Sequence, residues 1–180
     1  MTACADYAGA GAADDDGKEI NVVINPERDE DGKLVPVEKT AEQWKEELSD
    51  FEYYVLREKG TERAFTGRYH DSKQDGVYVC AGCHVPLYDS KTKFDSGTGW
   101  PSYYEAIVPD HVGENEDLSH GMRRVEIVCA RCDGHLGHVF PDGPKPTGMR
   151  HCVNGTSLRF IEREEFEKLT AKAEGATAGE

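Results

Sequence analysis

The chain has 180 residues, with 35 acidic against 21 basic side chains and a formal net charge of -14. That length, with 37% hydrophobic residues, suits one compact domain plus tails and excludes several large domains. The acidic field repels phosphate backbones and anionic lipid surfaces, so nucleic-acid and membrane partners are disfavoured. A solvated, self-repelling surface or adaptation to a salty cytoplasm would each account for the acidity.

The N-terminal stretch MTACADYAGAGAADDDGKE has neither a basic n-region nor an apolar h-region, and no apolar run approaches membrane-spanning length. A soluble, cytoplasmic protein is expected. Residues 1–39 read as an acidic, mostly disordered arm whose one strand-like patch is INVVI. From Thr40 the pattern changes: Thr40 with Gln43, then Ser49 with Glu52, have capping-box spacing, and Gly60 stands where a helix would stop. Two short helices are predicted, with Trp44, Leu48, Phe51, Val55 and Leu56 as their buried side. Beyond Gly60, β-type runs follow between turn residues: GVYVC, VEIVC, GHVF, RHCVN and SLRFI. The fold class is therefore mainly β, an antiparallel domain over residues 40–163 behind a helical lead-in. The stretch 164–180 reads as a frayed helix or tail.

Six cysteines in an intracellular chain point to metal ligation or redox catalysis before a disulfide framework. Cys80-Ala-Gly-Cys83 and Cys129-Ala-Arg-Cys132 each follow a strand-like run, and such a turn presents two thiolates to one ion at tetrahedral spacing. Two of them close a four-sulfur shell with no open position, the signature of one structural Zn(2+) per chain; a redox dithiol is the competing reading. Cys152 and Cys4 are then left for chemistry, and Cys4 lies in the arm.

If MRHCVN is a strand, Arg150, Cys152 and Asn154 share one face while His151 and Val153 turn the other way. A guanidinium beside a thiol favours the thiolate and lowers its pKa, whereas an inert buried cysteine is the ordinary alternative. The preceding CDGHLGHVFPDGPKPTGMRHC supplies His135 and His138, unneeded by a filled zinc shell, and a Pro/Gly-rich loop with Asp142. In KFDSGTGWPSYYEA, Gly97 and Gly99 free the backbone before Trp100, which Pro101 fixes; Trp100 is a ligand wall or a core anchor.

Together these residues resemble the B-type methionine sulfoxide reductases, the peptide-methionine (R)-S-oxide reductases. The similarity runs from about Thr40 to Ile161 through VLREKGTE, both CxxC pairs, KFDSGTGWPS, CDGHLGHVF and RHCVNGTSLRF. The resemblance implies two small antiparallel sheets, a zinc held by Cys80, Cys83, Cys129 and Cys132 away from catalysis, and reduction of methionine (R)-sulfoxide in oxidised proteins through a Cys152 sulfenic acid. It implies that His135, His138 and Asn154 polarise or protonate the sulfoxide oxygen, Arg150 and Asp142 tune the site, and Trp100 receives the substrate methyl. Thioredoxin or another thiol reductant would be the partner, and a monomer is expected. Position 151 is His where the family often has Tyr. Thr98 stands where many members carry a resolving cysteine, which leaves an external thiol or Cys4 to complete the cycle. A zinc-stapled binding module, or a hydrolase using Cys152 with His138, are the rival functions; the first gives Cys152 no role and the second predicts acyl-enzyme chemistry.

Overall fold

The computed structural model describes residues 10–177. A hairpin of β1 (Ala10–Ala13) and β2 (Glu19–Val22) is followed by helices α1 (Ala41–Glu47) and α2 (Asp50–Arg57). Both helices start as their sequences dictate. The side chains of Thr40 and Ser49 accept from the backbone N–H groups of Gln43 and Glu52, whose own side chains accept from the cap residues' N–H groups. After α2, Lys59 takes a left-handed φ of 57° and the Gly60 N–H returns to the Tyr54 carbonyl at 2.9 Å.

Strands β3 (Gly76–Cys80) and β4 (Pro86–Asp89) lead to β5 (Lys93–Phe94), β6 (Ser102–Tyr103), β7 (Val112–Asp117), β8 (Arg124–Cys129), β9 (His135–Phe140), β10 (Arg150–Val153) and β11 (Leu158–Glu162), before helix α3 (Arg163–Thr177). They form a three-stranded sheet, β11-β3-β4, and a six-stranded sheet, β5-β6-β10-β9-β8-β7, antiparallel throughout. The mainly β, antiparallel class is what forms, with the hairpin as a third small sheet.

Strand alternation sorts the residues into layers. On β3, Tyr78 and Cys80 face the core shared by the two larger sheets, with Tyr88, Tyr103, Leu136, Val153 and Phe160. Val77 and Val79 face the other way, onto Ile20 and Val22 of the hairpin and Leu169 of α3. The six-stranded sheet therefore presents its second face away from the core, and the functional cleft lies there.

Two expectations change. Phe51 is not on the buried side of α2; it is half exposed, stacked outward on Tyr54, because Glu52 takes the inward position, capping Ser49 and pairing with Arg159. The stretch read as a disordered arm over 1–39 carries the hairpin from Ala10, with Val22 fully buried. Its Ala, Gly and Asp content hid three apolar residues placed to cover the outer face of β3. Cys4 lies outside the described residues.

Candidate active site

The central strand β10 places its side chains as strand geometry requires. Cys152 lies opposite Ser102 of β6 and His138 of β9, and His138 lies opposite Glu126 of β8. Directly opposed residues share a face, so Ser102, Cys152, His138 and Glu126 form one row across four strands. His151 turns to the other face, where its Nδ1 meets the Tyr88 hydroxyl at 3.0 Å. Gly137 lets β9 approach this closely, since a Cβ there would sit 2.0 Å from the Cys152 carbonyl oxygen.

A cleft of about 150 Å³ opens above this row, lined by Thr61, Trp100, Arg124, His138, Phe140, Cys152 and Asn154 among others. Arg150 stacks over the Phe140 ring at 4.6 Å and makes a two-pronged pair with Asp142, at 2.9 and 3.0 Å. Burial pushes the Cys152 thiol above its ordinary pKa; the Arg150 charge and hydrogen bonds from Thr98 and Arg150 pull against it without prevailing. The expectation of a lowered pKa is thus corrected: Arg150 acts in the anticipated direction, but desolvation wins and Asp142 opposes it.

His135 and His138 lie three apart on β9, a spacing that ordinarily puts side chains on opposite faces of a strand. A bulge at the β8·β9 pairing sets Val128 opposite His135, skipping Leu136, and brings both imidazoles to one face with ring centroids 5.7 Å apart. His138 lines the cleft, while His135 is buried behind it. Hydrogen bonds from Ser119, then from His138, and the Arg124 charge hold Asp117 well below the usual carboxylate range. An ionised carboxylate only accepts, so His138 Nε2–H donates to Asp117 at 2.7 Å, leaving Nδ1 as the nitrogen that can gain a proton. His135 Nδ1 donates to Glu126 at 2.7 Å, and Lys59 closes the chain onto Glu126 at 2.8 Å. Burial lowers the His135 pKa despite this partner.

The wall opposite is held by Glu62. Its carbonyl accepts from Trp100 Nε1 at 3.0 Å and its N–H donates to Asn154 Oδ1 at 3.1 Å. Its buried carboxylate accepts from the Gly155 and Thr156 N–H groups at 2.6 and 3.0 Å, and from the Thr156 hydroxyl at 2.7 Å. The Asn154 amide also donates to the Leu136 carbonyl at 3.0 Å. One residue thus fixes both Trp100 and Asn154.

Away from the cleft, the sulfurs of Cys80, Cys83, Cys129 and Cys132 lie within 4.8 Å of one another, all buried. The Cys80–Cys132 and Cys83–Cys129 separations are 3.6 and 3.5 Å, close to the about 3.8 Å edge of a tetrahedral zinc–thiolate shell with bonds of about 2.3 Å. Both turns are built alike: His84 and Asp133, each just after the second cysteine, take φ of 58° and 56° and donate their N–H groups to the Cys80 and Cys129 carbonyls. The donor set fits a structural metal bridging β3 of one sheet and β8 of the other. None of the four lines the cleft.

The SelR domain model matches residues 48–162. Over 127 residues the chain is 57% identical to a peptide methionine sulfoxide reductase MsrB of Pseudomonas fluorescens, covering 71% of this chain and 98% of that protein. A protein of the same description from Thiobacillus denitrificans is 59% identical over 122 residues, covering 68% of this chain and 92% of the relative. This chain belongs to the MsrB family. In this MsrB-family protein the structure gathers Cys152, His138, Trp100 and Asn154 around the cleft and sets His135, Arg150 and Asp142 behind or beside them. Sequence reasoning missed Lys59, Glu62, Asp117, Arg124 and Glu126, which hold those groups. Glu126 left a trace as the charge inside the apolar run VEIVC; Lys59 and Glu62 lie in the VLREKGTE stretch that carries the resemblance, which assigned neither of them a role.

Proposed function

We propose that the chain is a thiol-dependent peptide-methionine (R)-S-oxide reductase that repairs oxidised proteins through a Cys152 sulfenic acid. The observation that carries this reading is Cys152 in the cleft, opposite His138 and within reach of the Trp100 wall, in a chain of the MsrB family. A sulfoxide sulfur becomes electrophilic when its oxygen accepts a proton. His138, protonated at Nδ1 while Asp117 holds Nε2, is the donor, and the Asn154 N–H not used by Leu136 orients the same oxygen. Deprotonated as it attacks, Cys152 gives an electron pair to the substrate sulfur and takes its oxygen. The step balances as thiol plus sulfoxide giving sulfenic acid plus thioether: the sulfur–oxygen bond of the substrate breaks, one forms on Cys152, the cysteine loses two electrons and the methionine gains them.

Arg150 supports the thiolate once the substrate has displaced water, and Asp142 keeps the guanidinium in place. Trp100 receives the methyl group, which selects the R epimer. His135 backs His138 and fixes its ring. An external thiol such as thioredoxin then condenses with the sulfenic acid, releasing water, and a second thiol resolves the mixed disulfide. Zinc is the ion held by Cys80, Cys83, Cys129 and Cys132, where it supplies a cross-link between sheets and no step of the reaction. Among the described residues no helix is long and apolar enough to cross a membrane; we place the activity in the cytoplasm, in a monomer.

The test is incubation with an epimeric mixture of dabsylated methionine sulfoxide and dithiothreitol. Conversion that stops near half, with the R epimer consumed, is the expected result. No conversion, or consumption of both epimers at equal rates, overturns the assignment.

A further inference from the structure

The hairpin of β1 and β2 precedes the residues that the family model matches, 48–162. Its turn, Asp14 to Gly17, is built by its own side chains: Asp14 Oδ1 accepts from the Asp16 and Lys18 N–H groups at 3.0 and 2.8 Å. This aims the next two carboxylates at the irregular loop between α2 and β3. Asp15 accepts from Arg68 Nη2 at 2.9 Å and from the Tyr69 hydroxyl at 2.8 Å, and Asp16 accepts from Arg68 Nη1 at 2.6 Å.

The same loop carries the cleft wall at its other end. Glu62 grips Trp100, Asn154, Gly155 and Thr156, as described above. Phe65 donates its N–H to the Gly99 carbonyl at 2.8 Å, next to Trp100. The Arg68 carbonyl packs so closely on Gly155 that a Cβ there would lie 2.0 Å from it. Phe65 and Tyr69 hold φ of 64° and 66°, a left-handed conformation that is costly for bulky side chains. A loop with such a backbone keeps its shape because something outside it holds it, and the acidic turn grips it at Arg68 and Tyr69.

We infer that Asp15 and Asp16 are positioning residues for the active site: through Arg68 and Tyr69 they hold the 62–69 loop against Gly99, Trp100 and Asn154, and so set the shape of the substrate cleft. This rests on the catalytic reading of that cleft, but the mechanical link stands on geometry alone. At Arg68 the grip is ionic, between side chains exposed enough for salt to reach, and at Tyr69 it is a hydrogen bond.

The test uses the full chain with Asp15→Asn and Asp16→Asn combined, which keeps shape and removes charge. Hydrogen exchange is measured over residues 62–69 and 97–101, and steady-state kinetics are taken with a methionine sulfoxide peptide. Faster exchange in both segments is expected, with KM raised about fivefold and kcat changed less than about twofold, the scale of a pair of partly exposed ion pairs. In about 1 M NaCl, where the screening length falls to about 3 Å, the wild type should move toward the variant and the variant should stay put. A lowered melting temperature with unchanged exchange at 97–101 and unchanged KM would show a merely structural hairpin and overturn the inference. If the wild type reduced no sulfoxide, the proposed function would fail while the exchange measurement still decided the link. Tyr69→Phe, which deletes a single hydrogen bond of the grip, should shift the same segments in the same direction by less; a shift equal to or larger than the double variant's counts against the carboxylates as the holding groups.

Discussion

Glu62→Gln isolates what one buried carboxylate contributes. The side chain is 2% exposed, so solvent does not replace what it loses. Its two oxygens accept three hydrogen bonds, from two backbone N–H groups and one hydroxyl. A glutamine of the same size keeps one oxygen and turns an NH2 toward either the Gly155 or the Thr156 N–H, so one buried donor faces another whichever way the amide is flipped. Losing one charge-assisted bond and leaving a donor unpaired costs about 3 kcal/mol. In a chain of this size that corresponds to a fall in Tm of about 6–12 °C. Differential scanning calorimetry of metal-loaded wild type and variant at one pH measures it directly. A fall of less than about 3 °C would refute the reasoning, because it would mean that the loop carries Gly155 and Thr156 without this anchor.

Four further outcomes are expected. Cys152→Ser should leave Tm and metal content unchanged and reduce turnover to less than about 1% of wild type, since a hydroxyl at its ordinary pKa cannot replace the sulfur nucleophile; stopped-time assays of sulfoxide consumption check it. Cys83→Ser should release the metal in a metal-content assay and lower Tm by about 10 °C or more, because the binding free energy of a structural metal is folding free energy. Burial raises the Cys152 pKa, so its iodoacetamide alkylation rate should still be climbing above the ordinary thiol value; Asp142→Asn, which removes an opposing charge, should move the midpoint down, and Arg150→Met should move it up. Cys4→Ser should leave thioredoxin-linked turnover unchanged, as judged by NADPH consumption.

The parts of this molecule that were legible in sequence are those fixed by local rules. The capping boxes at Thr40 and Ser49 specify where α1 and α2 begin, and period-two alternation places Cys152 and His151 on opposite faces of β10. The paired CxxC turns specify a four-sulfur cluster, which forms. What escaped were contacts made by residues distant in sequence. Glu62 meets Thr156 across 94 positions, and nothing near it marks that pairing. The bulge that unites His135 and His138 depends on how β8 and β9 register. Strand alternation sets Arg150 on the same face as the thiol, yet the sign of the net pKa shift turns on burial, which the sequence of one strand does not contain. Phe51 followed helical periodicity and was displaced by a carboxylate whose arginine lies on β11.

The six-stranded sheet has two edges, and they are unlike. β5 is two residues long, too short to template another strand, but β7 runs for six. An edge of that length is an invitation to any extended polypeptide. Along β7 the exposed side chains are Glu114, Asn115 and Glu116, the last paired with Arg123 at 2.7 Å, while Asp117 at its end is engaged by Arg124 and His138. A strand approaching this border would have to bring its backbone alongside charged and amide side chains that hold their water, which discourages pairing at this edge.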